Sequence, residues 1–340
     1  MPKTLYQSWN PGASALEIID QAEEICTDYA AQGYDLTLRQ LYYQFVSRAL
    51  IPNTMQSYKR LGDILNKARL AGLLDWDFIV DRTRNLRSNS HWRTPADIIR
   101  SAAQSFAIDK WSNQDARVEV WVEKEALAGI VSQVAERHDC AWFSCRGYVS
   151  QSEVWAAAQR HLHYIANGQR VVVVHLGDHD PSGIDMTRDI TDRLEMFVYT
   201  DWATDHMDEE YNTDDLTRWE IQEHIREHLG SDVCGEHDPI EINRIALNMG
   251  QVLAYNPPPN PAKLTDSRAS DYIARYGTDS WELDALDPAT LDALIETAIT
   301  SVMDPARYTE RRRVEDGHRQ VLTAASSRWG EVAGMLNGSA

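Results

Sequence analysis

Apolar residues recur every three or four positions between residues 14 and 31, which predicts an amphipathic helix. Ser14 is its expected N-cap, because Glu17 stands three residues later as in a capping box. Two more helical patterns follow, one after Thr37 and one from its expected N-cap Thr54 to residue 71. The chain therefore begins with three amphipathic helices that can share one core.

A short β-rich segment, residues 76–80, follows the third helix beyond Gly72. Three helices and a strand or hairpin fit a winged helix-turn-helix domain, whose later helix usually enters the major groove of DNA. A small helical subdomain with one polar face fits the same pattern equally well. We assign residues 1–112 to this N-terminal domain.

Beyond residue 115 the pattern changes to strands that alternate with helices, which predicts a parallel sheet with right-handed crossovers. The third strand carries four consecutive valines, as a strand buried on both faces does. This sheet domain is expected to span residues 115–200. Its predicted strands are residues 117–122, 141–145 and 169–176, and its predicted helices are residues 126–136, 152–166 and 182–197.

The last part of the chain, residues 201–340, is predicted to be a largely helical extension packed on this sheet. Two motif-like stretches in it, residues 263–268 and 276–286, mix charged and aromatic side chains. They could line a DNA channel or a dimer interface, or they could form a buried polar network that caps the sheet. The expected fold class is α/β, mixed α+β overall. The predicted helices of this extension are residues 214–229, 288–303 and 307–336.

Charge is unevenly distributed along the chain. The whole sequence carries 33 Lys and Arg against 52 Asp and Glu, a formal net charge of −19. Residues 36–100 nevertheless hold eleven basic and five acidic residues, or +6. Such a basic block favours contact with DNA phosphates, and chance clustering on a solvated surface is the alternative. The predicted DNA-binding residues of the block are Lys59, Arg60, Lys67, Arg69, Arg82 and Arg84.

Composition excludes several classes of protein. No apolar run approaches the roughly 20 residues that cross a bilayer, and the first residues lack the apolar stretch of a secretory signal. The four cysteines are too scattered for a disulfide framework, so we expect a cytoplasmic protein, nucleoid-associated if a bacterium or phage encodes it. The sequence has neither a Gly-x-x-x-x-Gly-Lys-Ser/Thr phosphate loop nor a Cys-x-x-Cys zinc motif.

Acidic residues stand where two of the predicted strands end. Glu123 follows the first strand, and Asp178 and Asp180 follow the third. Ligands of open α/β sheets bind beyond the carboxyl ends of the strands, and Mg²⁺ prefers carboxylates together with waters and phosphate oxygens. The sequence therefore predicts a magnesium site on these three acids. The alternative is that they are helix N-caps, above all Asp180 before Pro181.

The residues around these acids resemble a known family. The stretches are Val122-Glu123-Lys124-Glu125 and Leu176-Gly177-Asp178-His179-Asp180-Pro181-Ser182-Gly183. They look like the two motifs of a Toprim domain, the metal-binding module of topoisomerases, primases and certain nucleases. The form Asp-x-Asp-Pro-x-Gly, with Gly147-Tyr148 between the motifs, is similar to the A subunit of type IIB DNA topoisomerase (topoisomerase VI) and its meiotic double-strand-break relative. The resemblance covers about residues 30–200.

The resemblance implies a winged-helix domain ahead of a Toprim domain, and a nucleophilic tyrosine on a helix. The family's Arg-x-x-Tyr-Tyr-like motif matches Arg39-Gln40-Leu41-Tyr42-Tyr43, which makes Tyr43 the expected nucleophile, with Tyr42 beside it. Arg39, one helical turn earlier, is expected to hold the phosphate or stabilise the phenolate. The three acids would hold Mg²⁺ at the cleaved phosphate, with Glu123 also counted among the catalytic residues. In the family the tyrosine of one subunit works with the metal of the other, so the implied partners are double-stranded DNA, a second copy in a homodimer and a separate ATPase subunit.

Three positions depart from the family pattern. The family's Gly-Tyr-Pro-Asp stretch is Gly147-Tyr148-Val149-Ser150 in this chain, and Val154 stands where the family has an arginine. Two other functions stay open at this point. One is a Toprim nuclease that uses metal-activated water, with Tyr43 merely structural, and the other is a non-catalytic winged-helix DNA-binding protein.

Overall fold

The computed structural model describes residues 3–80, 89–207, 216–262 and 268–338. The protein has a mixed α/β fold, 61% helical, with a four-stranded parallel sheet. The helices are α1 (Ala13–Ala31), α2 (Leu38–Ser47), α3 (Met55–Leu70), α4 (Pro95–Ser105), α5 (Ala128–Arg137), α6 (Gln151–Ala166), α7 (Pro181–His206), α8 (Arg218–Leu229), α9 (Ser231–Cys234), α10 (Met249–Tyr255), α11 (Ala269–Tyr276), α12 (Pro288–Thr300), α13 (Pro305–Ser327) and α14 (Trp329–Leu336). The strands are β1 (Ala116–Val122), β2 (Ala141–Ser144), β3 (Arg170–Leu176), β4 (Ile240–Ala246), β5 (Asn260–Pro261) and β6 (Asp279–Ser280).

The strand order of the sheet is β2-β1-β3-β4, and every neighbouring pair runs parallel. β3 is buried along its whole length, as expected of a valine-rich strand with helices on both faces. The parallel sheet predicted from the alternation of strands and helices is thus confirmed. β4 was not predicted, because its seven residues include Glu, Asn and Arg and its side chains are only partly buried.

Two apolar cores lie on opposite faces of the sheet. On one face, Val118 and Val120 of β1 pack with residues of α5 and α12, such as Ile130 and Ile295. On the other face, Trp121 and valines of β3 pack with residues of α6, α7 and α8. Because side chains alternate along a strand, the odd-numbered residues of β1 face α6 and α7. The sheet is therefore rigidly held, and the residues beyond its strand ends start from fixed positions.

The three N-terminal helices enclose a core of their own. Its buried residues come from α1, α2, α3 and the loops between them, and Ala285 from the C-terminal part of the chain joins them. The Tyr29 hydroxyl of α1 also donates a hydrogen bond to the Asp287 carboxylate. The N-terminal helices are thus packed against a distant segment of the chain, and Tyr29 and Asp287 are 258 positions apart.

The N-terminal ends of these helices agree with the sequence at two of three positions. Thr37 caps α2 in a capping box with Gln40, and Thr54 caps α3. The predicted N-cap Ser14 is wrong, because α1 begins one residue earlier and has no side-chain cap. The Ser14 hydroxyl instead accepts a hydrogen bond from Arg60 Nη2 (2.8 Å).

The predicted strand over residues 76–80 is also wrong. Trp76–Phe78 form a 3-10 turn, because the Asp75 side chain caps it by accepting a backbone N–H two residues on (3.0 Å). Ile79 makes an isolated parallel bridge with Leu36. A β-rich composition was overridden here by a local side-chain cap, as happens for short aspartate-flanked segments.

Several helices differ from their predicted bounds. α7 is longer than the predicted 182–197, because its buried apolar face continues past residue 197. The helix predicted over residues 126–136 begins with the 3-10 turn Glu125–Leu127 before α5. The helix predicted over residues 307–336 is two helices, α13 and α14, separated at Arg328.

Helix α13 packs along α4. Its buried Glu315 pairs with Lys110 (Oε2–Nζ 2.6 Å) and accepts the Ile108 N–H (2.9 Å). Helix α13 is therefore tied to the segment that precedes β1. Within the parts of the chain that the structure describes, no helix has the length and apolar character needed to span a membrane.

Candidate functional site

The carboxyl ends of the two central strands bring Glu123 and Asp178 together. β1 and β3 stay paired up to Val122 and Leu176, so the residues that follow emerge at the same edge of the sheet. Glu123 Oε2 accepts a hydrogen bond from the Asp178 backbone N–H (2.8 Å), and both side chains are buried. Two of the three predicted metal-binding acids thus lie side by side.

The third acid, Asp180, caps the helix that follows. Its Oδ1 accepts hydrogen bonds from the Gly183 N–H (2.6 Å) and the Ser182 hydroxyl (2.8 Å). This is the N-cap geometry that the sequence left open as an alternative. Gly183 is required here, because a Cβ at this position would lie 2.2 Å from the Asp178 carbonyl oxygen.

Lys124 is the centre of an ion-pair network at this edge. Its Nζ lies 2.9 Å from Asp178 Oδ2, 2.8 Å from Glu282 Oε2 and 3.1 Å from Asp284 Oδ1. Burial disfavours the ammonium, but the three carboxylates outweigh it and raise the pKa of Lys124 above its usual value. Lys124 is therefore protonated in the metal-free site. Arg39 completes the set, and we call Arg39, Lys124, Asp178, Glu282 and Asp284 the bridging network.

The segment of residues 279–284 is held against the sheet edge by backbone and side-chain contacts. Trp281 and His179 form an isolated antiparallel bridge, with backbone hydrogen bonds of 2.8 and 2.9 Å. The Leu283 N–H donates to Asp178 Oδ1 (2.7 Å). Of the two interpretations of this motif-like stretch, the buried polar network that caps the sheet fits these contacts. The other stretch falls mainly on residues 263–267, which lie outside the described residues.

The bridging network reaches the helix that carries Tyr43. Arg39 on α2 pairs with Glu282, and its Nε lies 3.1 Å from Asp284 Oδ2. The Arg39 guanidinium lies 6.0 Å from the centre of the Tyr43 ring. Arg39, Tyr43 and the sheet-edge acids are therefore joined within a single chain.

The Tyr43 hydroxyl is held in an environment that keeps it protonated. Burial, followed by the negative charges of Asp284 and Glu282, raises the pKa of Tyr43 to about 12. Asn260 Nδ2 lies 3.4 Å from Tyr43 Oη and 3.4 Å from Glu282 Oε1. The side-chain amide of Asn260 therefore lies between the Tyr43 hydroxyl and the Glu282 carboxylate.

A cavity of about 270 Å³ opens beside Tyr43. α2 and α3 line one side, and residues of β5 and Glu282 line the other. Tyr42 also lines it, but its hydroxyl is engaged with Asn53 Oδ1 (2.9 Å). Tyr43 and Arg39 therefore border a space into which a small group can enter.

Carboxylates outnumber cations at this edge of the described structure. The acids are Glu123, Asp178, Asp180, Glu282 and Asp284, and the cations are Arg39, Lys124 and Arg244. Burial raises the pKa of Glu123, Asp178 and Asp284, and neighbouring carboxylates add to the rise; for Asp178 the value is about 7. With every carboxylate ionised, the five acids would outnumber the three cations by two, a charge that a divalent cation would neutralise.

The donor atoms suit Mg²⁺, although the apo arrangement is not a finished metal cage. Among the residues with described positions, no three or more His, Cys, Asp and Glu side chains are grouped to hold a metal ion. Asp178 is paired with Lys124, and Asp180 uses one oxygen as a helix cap. Oxygen donors with surplus negative charge fit Mg²⁺, provided that Lys124 withdraws from Asp178. Glu123, Asp178 and Asp180 therefore stay the predicted ligands.

The predicted DNA-binding residues fall into three groups. Lys59, Arg60 and Lys67 are exposed on α3. Arg69 is half-buried, because its guanidinium stacks 4.3 Å from the Trp76 ring centre and donates to the Trp76 carbonyl (3.1 Å). Arg82 and Arg84 lie outside the described residues. The structure therefore leaves three basic side chains on α3 in position to meet phosphates.

Sequence reasoning gave no role to four charged residues of the site: Lys124, Arg244, Glu282 and Asp284. Lys124 adjoins Glu123, and the two later acids fall within a stretch that already stood out by composition. Arg244 had no signal, because it lies on β4, the strand that the pattern missed. It is partly buried and donates to the carbonyls of Gly177 (2.9 Å), Asp178 (2.5 Å) and Gly183 (2.9 Å), so it fixes the loop that carries the acids.

The chain matches no protein-family model, no curated protein sequence and no solved structure.

Proposed function

We propose that this chain cleaves duplex DNA by metal-dependent transesterification on Tyr43, as a homodimer with winged-helix and Toprim-type domains. The bridging network carries the proposal, because it joins the helix of Tyr43 and Arg39 to buried acids at the carboxyl ends of two parallel strands. Those acids occupy the edge at which α/β sheets bind ligands. A separate ATPase subunit is part of the proposal only if strand passage accompanies cleavage.

In the proposed reaction, Tyr43 Oη attacks the phosphorus of a DNA phosphodiester. A phosphotyrosine ester forms, the bond to one deoxyribose oxygen breaks, and that oxygen leaves as a hydroxyl after it gains a proton. The step conserves the number of phosphoester bonds, so the reverse attack can reseal the strand. Because the pKa of Tyr43 is about 12 in the apo site, the phenol must lose its proton as the phosphate enters.

Arg39 has the position to assist this proton loss. Its guanidinium lies beside the Tyr43 ring, and its positive charge lowers the cost of a phenolate. In the apo site that charge is shared with Glu282 and Asp284. An entering phosphate would take over one of these contacts, since guanidinium groups bind phosphate and carboxylate in the same forked geometry.

The metal would be held by Glu123, Asp178 and Asp180. When bound, a divalent cation supplies a Lewis acid that withdraws charge from phosphate oxygens. Lys124 would then turn from Asp178 to Glu282 and Asp284, with which it is already paired. Arg244 would keep the acid loop in place through its three carbonyl contacts.

A second candidate is a nuclease in which metal-activated water attacks the phosphate. The burial of Tyr43, which is 3% exposed, and its raised pKa favour this candidate, because both oppose direct attack by the phenol. The acids, Lys124 and Arg244 would serve it unchanged. The two candidates differ in one product, the covalent protein–DNA adduct.

The test incubates the full-length protein with end-labelled duplex DNA and Mg²⁺ and quenches the reaction with detergent. Transesterification predicts an adduct that Tyr43→Phe abolishes. Tyr42→Phe is the matched control, because Tyr42 is the adjacent aromatic residue on the same helix and its hydroxyl is engaged with Asn53. The control should keep at least a large fraction of the adduct.

Other outcomes point elsewhere. Cleavage without an adduct, unaffected by Tyr43→Phe and lost in Asp178→Ala, supports the nuclease. DNA binding without cleavage under any divalent metal supports a non-catalytic DNA-binding protein. An adduct that survives Tyr43→Phe and disappears in Tyr42→Phe moves the nucleophile to Tyr42.

A further inference from the structure

A second groove begins directly beside the sheet-edge acids. The first turns of α7 form one wall and α11 forms the other, and together they enclose about 330 Å³. Pro181, the residue after Asp180, lines its inner end. This volume is at the small end of ligand-sized cavities, so the groove suits a short stretch of an extended ligand.

The walls of this groove carry three arginines, Arg188, Arg268 and Arg275, against two lining acids, Asp185 and Asp271. Arg188 also pairs with Asp192 (Nη1–Oδ2 2.6 Å), so arginines and acids balance here in a chain whose total charge is −19. None of the basic residues predicted from the sequence to bind DNA lies here. The groove is therefore a separate arginine-containing surface.

Asp185 orients two of the guanidinium groups. It accepts from Arg188 Nε (2.8 Å), and its other oxygen lies 3.1 Å from Arg268 Nη1. Arg268 also lies over the Tyr148 ring, 5.3 Å from its centre. Arginines held in this way lose less side-chain entropy when they bind, and their forks match phosphate oxygens.

Aromatic rings accompany these arginines. Tyr276 lines the groove, and its ring centre lies 4.7 Å from that of His179, the residue between Asp178 and Asp180. Tyr272 lies beside it and donates its hydroxyl to the His179 carbonyl (2.9 Å). Tyr272 is buried and Tyr276 is partly exposed, so Tyr276 is the ring that a bound strand could reach beside the arginines.

We propose that this groove binds the sugar–phosphate backbone of the nucleic-acid strand on its way to Glu123 and Asp178. The proposal rests on the proposed function for the identity of the ligand. It adds a binding surface formed by α7 and α11, with Arg275 and Arg188 as the residues that contact phosphate. The contact is independent of base sequence, because guanidinium groups bound to phosphates carry no sequence information.

The test is fluorescence anisotropy of a labelled duplex with the full-length protein, in EDTA so that no cleavage occurs, across a range of salt concentrations. Arg275→Ala and Arg188→Ala are each expected to weaken binding about tenfold and to lower the salt slope by about 0.9. Arg313→Ala is the matched control, because Arg313 is an exposed α13 arginine paired with Glu310, away from the groove residues. Arg275→Lys should keep part of the affinity, since it keeps the charge and loses the fork.

The outcomes separate this inference from the proposed function. If the wild-type chain binds DNA and forms adducts while Arg275→Ala and Arg188→Ala bind like Arg313→Ala, the groove is not used and the inference is overturned. If the wild-type chain binds no DNA, both the proposed function and this inference are wrong. If poly-glutamate binds in an Arg275-dependent way while DNA binding ignores Arg275, the groove takes an acidic peptide and the inference is again wrong.

Discussion

Glu119 and Glu123 stand four residues apart, within and just beyond strand β1, and both are buried. Glu119 accepts hydrogen bonds from Arg160 Nη2 (3.0 Å) and Trp121 Nε1 (3.0 Å), and its Oε2 lies 3.5 Å from His161 Nε2. Burial alone would raise its pKa, but His161 and Arg160 outweigh burial and lower it far below the usual value. At Glu123 the balance is reversed, and burial raises the pKa.

The difference separates a buried acid whose partners lie within the fold from one whose charge is less fully compensated. Each buried charge costs free energy unless it is paired and hydrogen-bonded. Glu119 is paired with Arg160 and lies beside His161. With every carboxylate ionised, the five acids around Glu123 would outnumber their three cations by two, and burial with mutual repulsion raises the pKa of several of them. Perturbed titration in a cluster of this kind is a sign of a functional site.

The largest expected effect comes from neutralising the two glutamates separately. Glu119→Gln should lower the free energy of unfolding by about 3 kcal/mol, because it removes the buried carboxylate that pairs with Arg160 and faces the fully buried His161. Glu123→Gln should change it by less than about 1 kcal/mol in metal-free protein, because it relieves repulsion and its amide oxygen can still accept the Asp178 N–H. Urea unfolding in EDTA measures both. Equal losses would remove the distinction between the two acids.

A second pair of variants compares two lysines that pair with buried carboxylates. Lys124→Met removes the cation beside Asp178 at the sheet edge, and Lys110→Met removes one of the two cations beside Glu315. Because Glu315 keeps Arg319 (2.9 Å), Lys124→Met should cost about 3 kcal/mol and Lys110→Met less. Mg²⁺ should restore stability to Lys124→Met, because a divalent cation can replace the ammonium beside Asp178, and should leave Lys110→Met unchanged. Thermal unfolding with and without Mg²⁺ measures the rescue. Rescue of both variants, or of neither, would contradict a cation site at the sheet edge.

The pH dependence of stability sharpens the same comparison. The pKa of Glu119 is lower in the folded chain than its usual value of 4.5, so its stabilising contribution is complete above that value and is lost as the pH falls below it. Each unit of difference between the two states corresponds to about 1.4 kcal/mol. Glu119→Gln should therefore flatten the loss of stability between about pH 5 and pH 3. A wild-type and a variant curve that stay parallel across this range would show that Glu119 does not titrate as described.

The smallest effects are expected on α3. Arg69→Ala should cost about 1 kcal/mol, because it removes the stacking on Trp76, and should leave the salt dependence of DNA binding unchanged. Lys67→Ala should leave stability within about 0.5 kcal/mol and reduce the salt slope of DNA binding by about 0.9. Thermal unfolding and anisotropy titrations together distinguish the two. If Arg69→Ala instead reduced the salt slope and Lys67→Ala reduced stability, Arg69 would have to leave Trp76 and contact the phosphates.

The sequence predicted the sheet and its acids because these depend on short-range signals. A four-valine strand that ends in Asp-x-Asp, and a second strand that ends in Glu, put Glu123 and Asp178 at one edge by topology alone. The pairing of Lys124 with Glu282 was beyond reach, since 158 residues separate the partners. The 3-10 turn at Trp76 was missed because one aspartate cap outweighed β propensity over five residues.

The basic block shows a similar limit. Counting charges placed Arg69 with Lys67, yet one is packed on an indole ring and the other is exposed. The count could not tell them apart, because both occur in the last turn of α3. The arginines of the α7–α11 groove were missed because they are far apart in the sequence. They are spread over almost ninety positions of an acidic part of the sequence, and the fold alone gathers them.

The stretch from Asp279 to Asp284 has a consequence for how the chain can vary. Within six residues it engages His179 through Trp281, Asp178 through the Leu283 N–H, and Arg39 and Lys124 through two carboxylates. Each of these contacts depends on its register along the segment. A one-residue insertion or deletion would displace several partners at once, whereas a single substitution removes one contact. Homologous chains should therefore keep the length of this stretch more strictly than its composition, and loop-length changes should accumulate outside it.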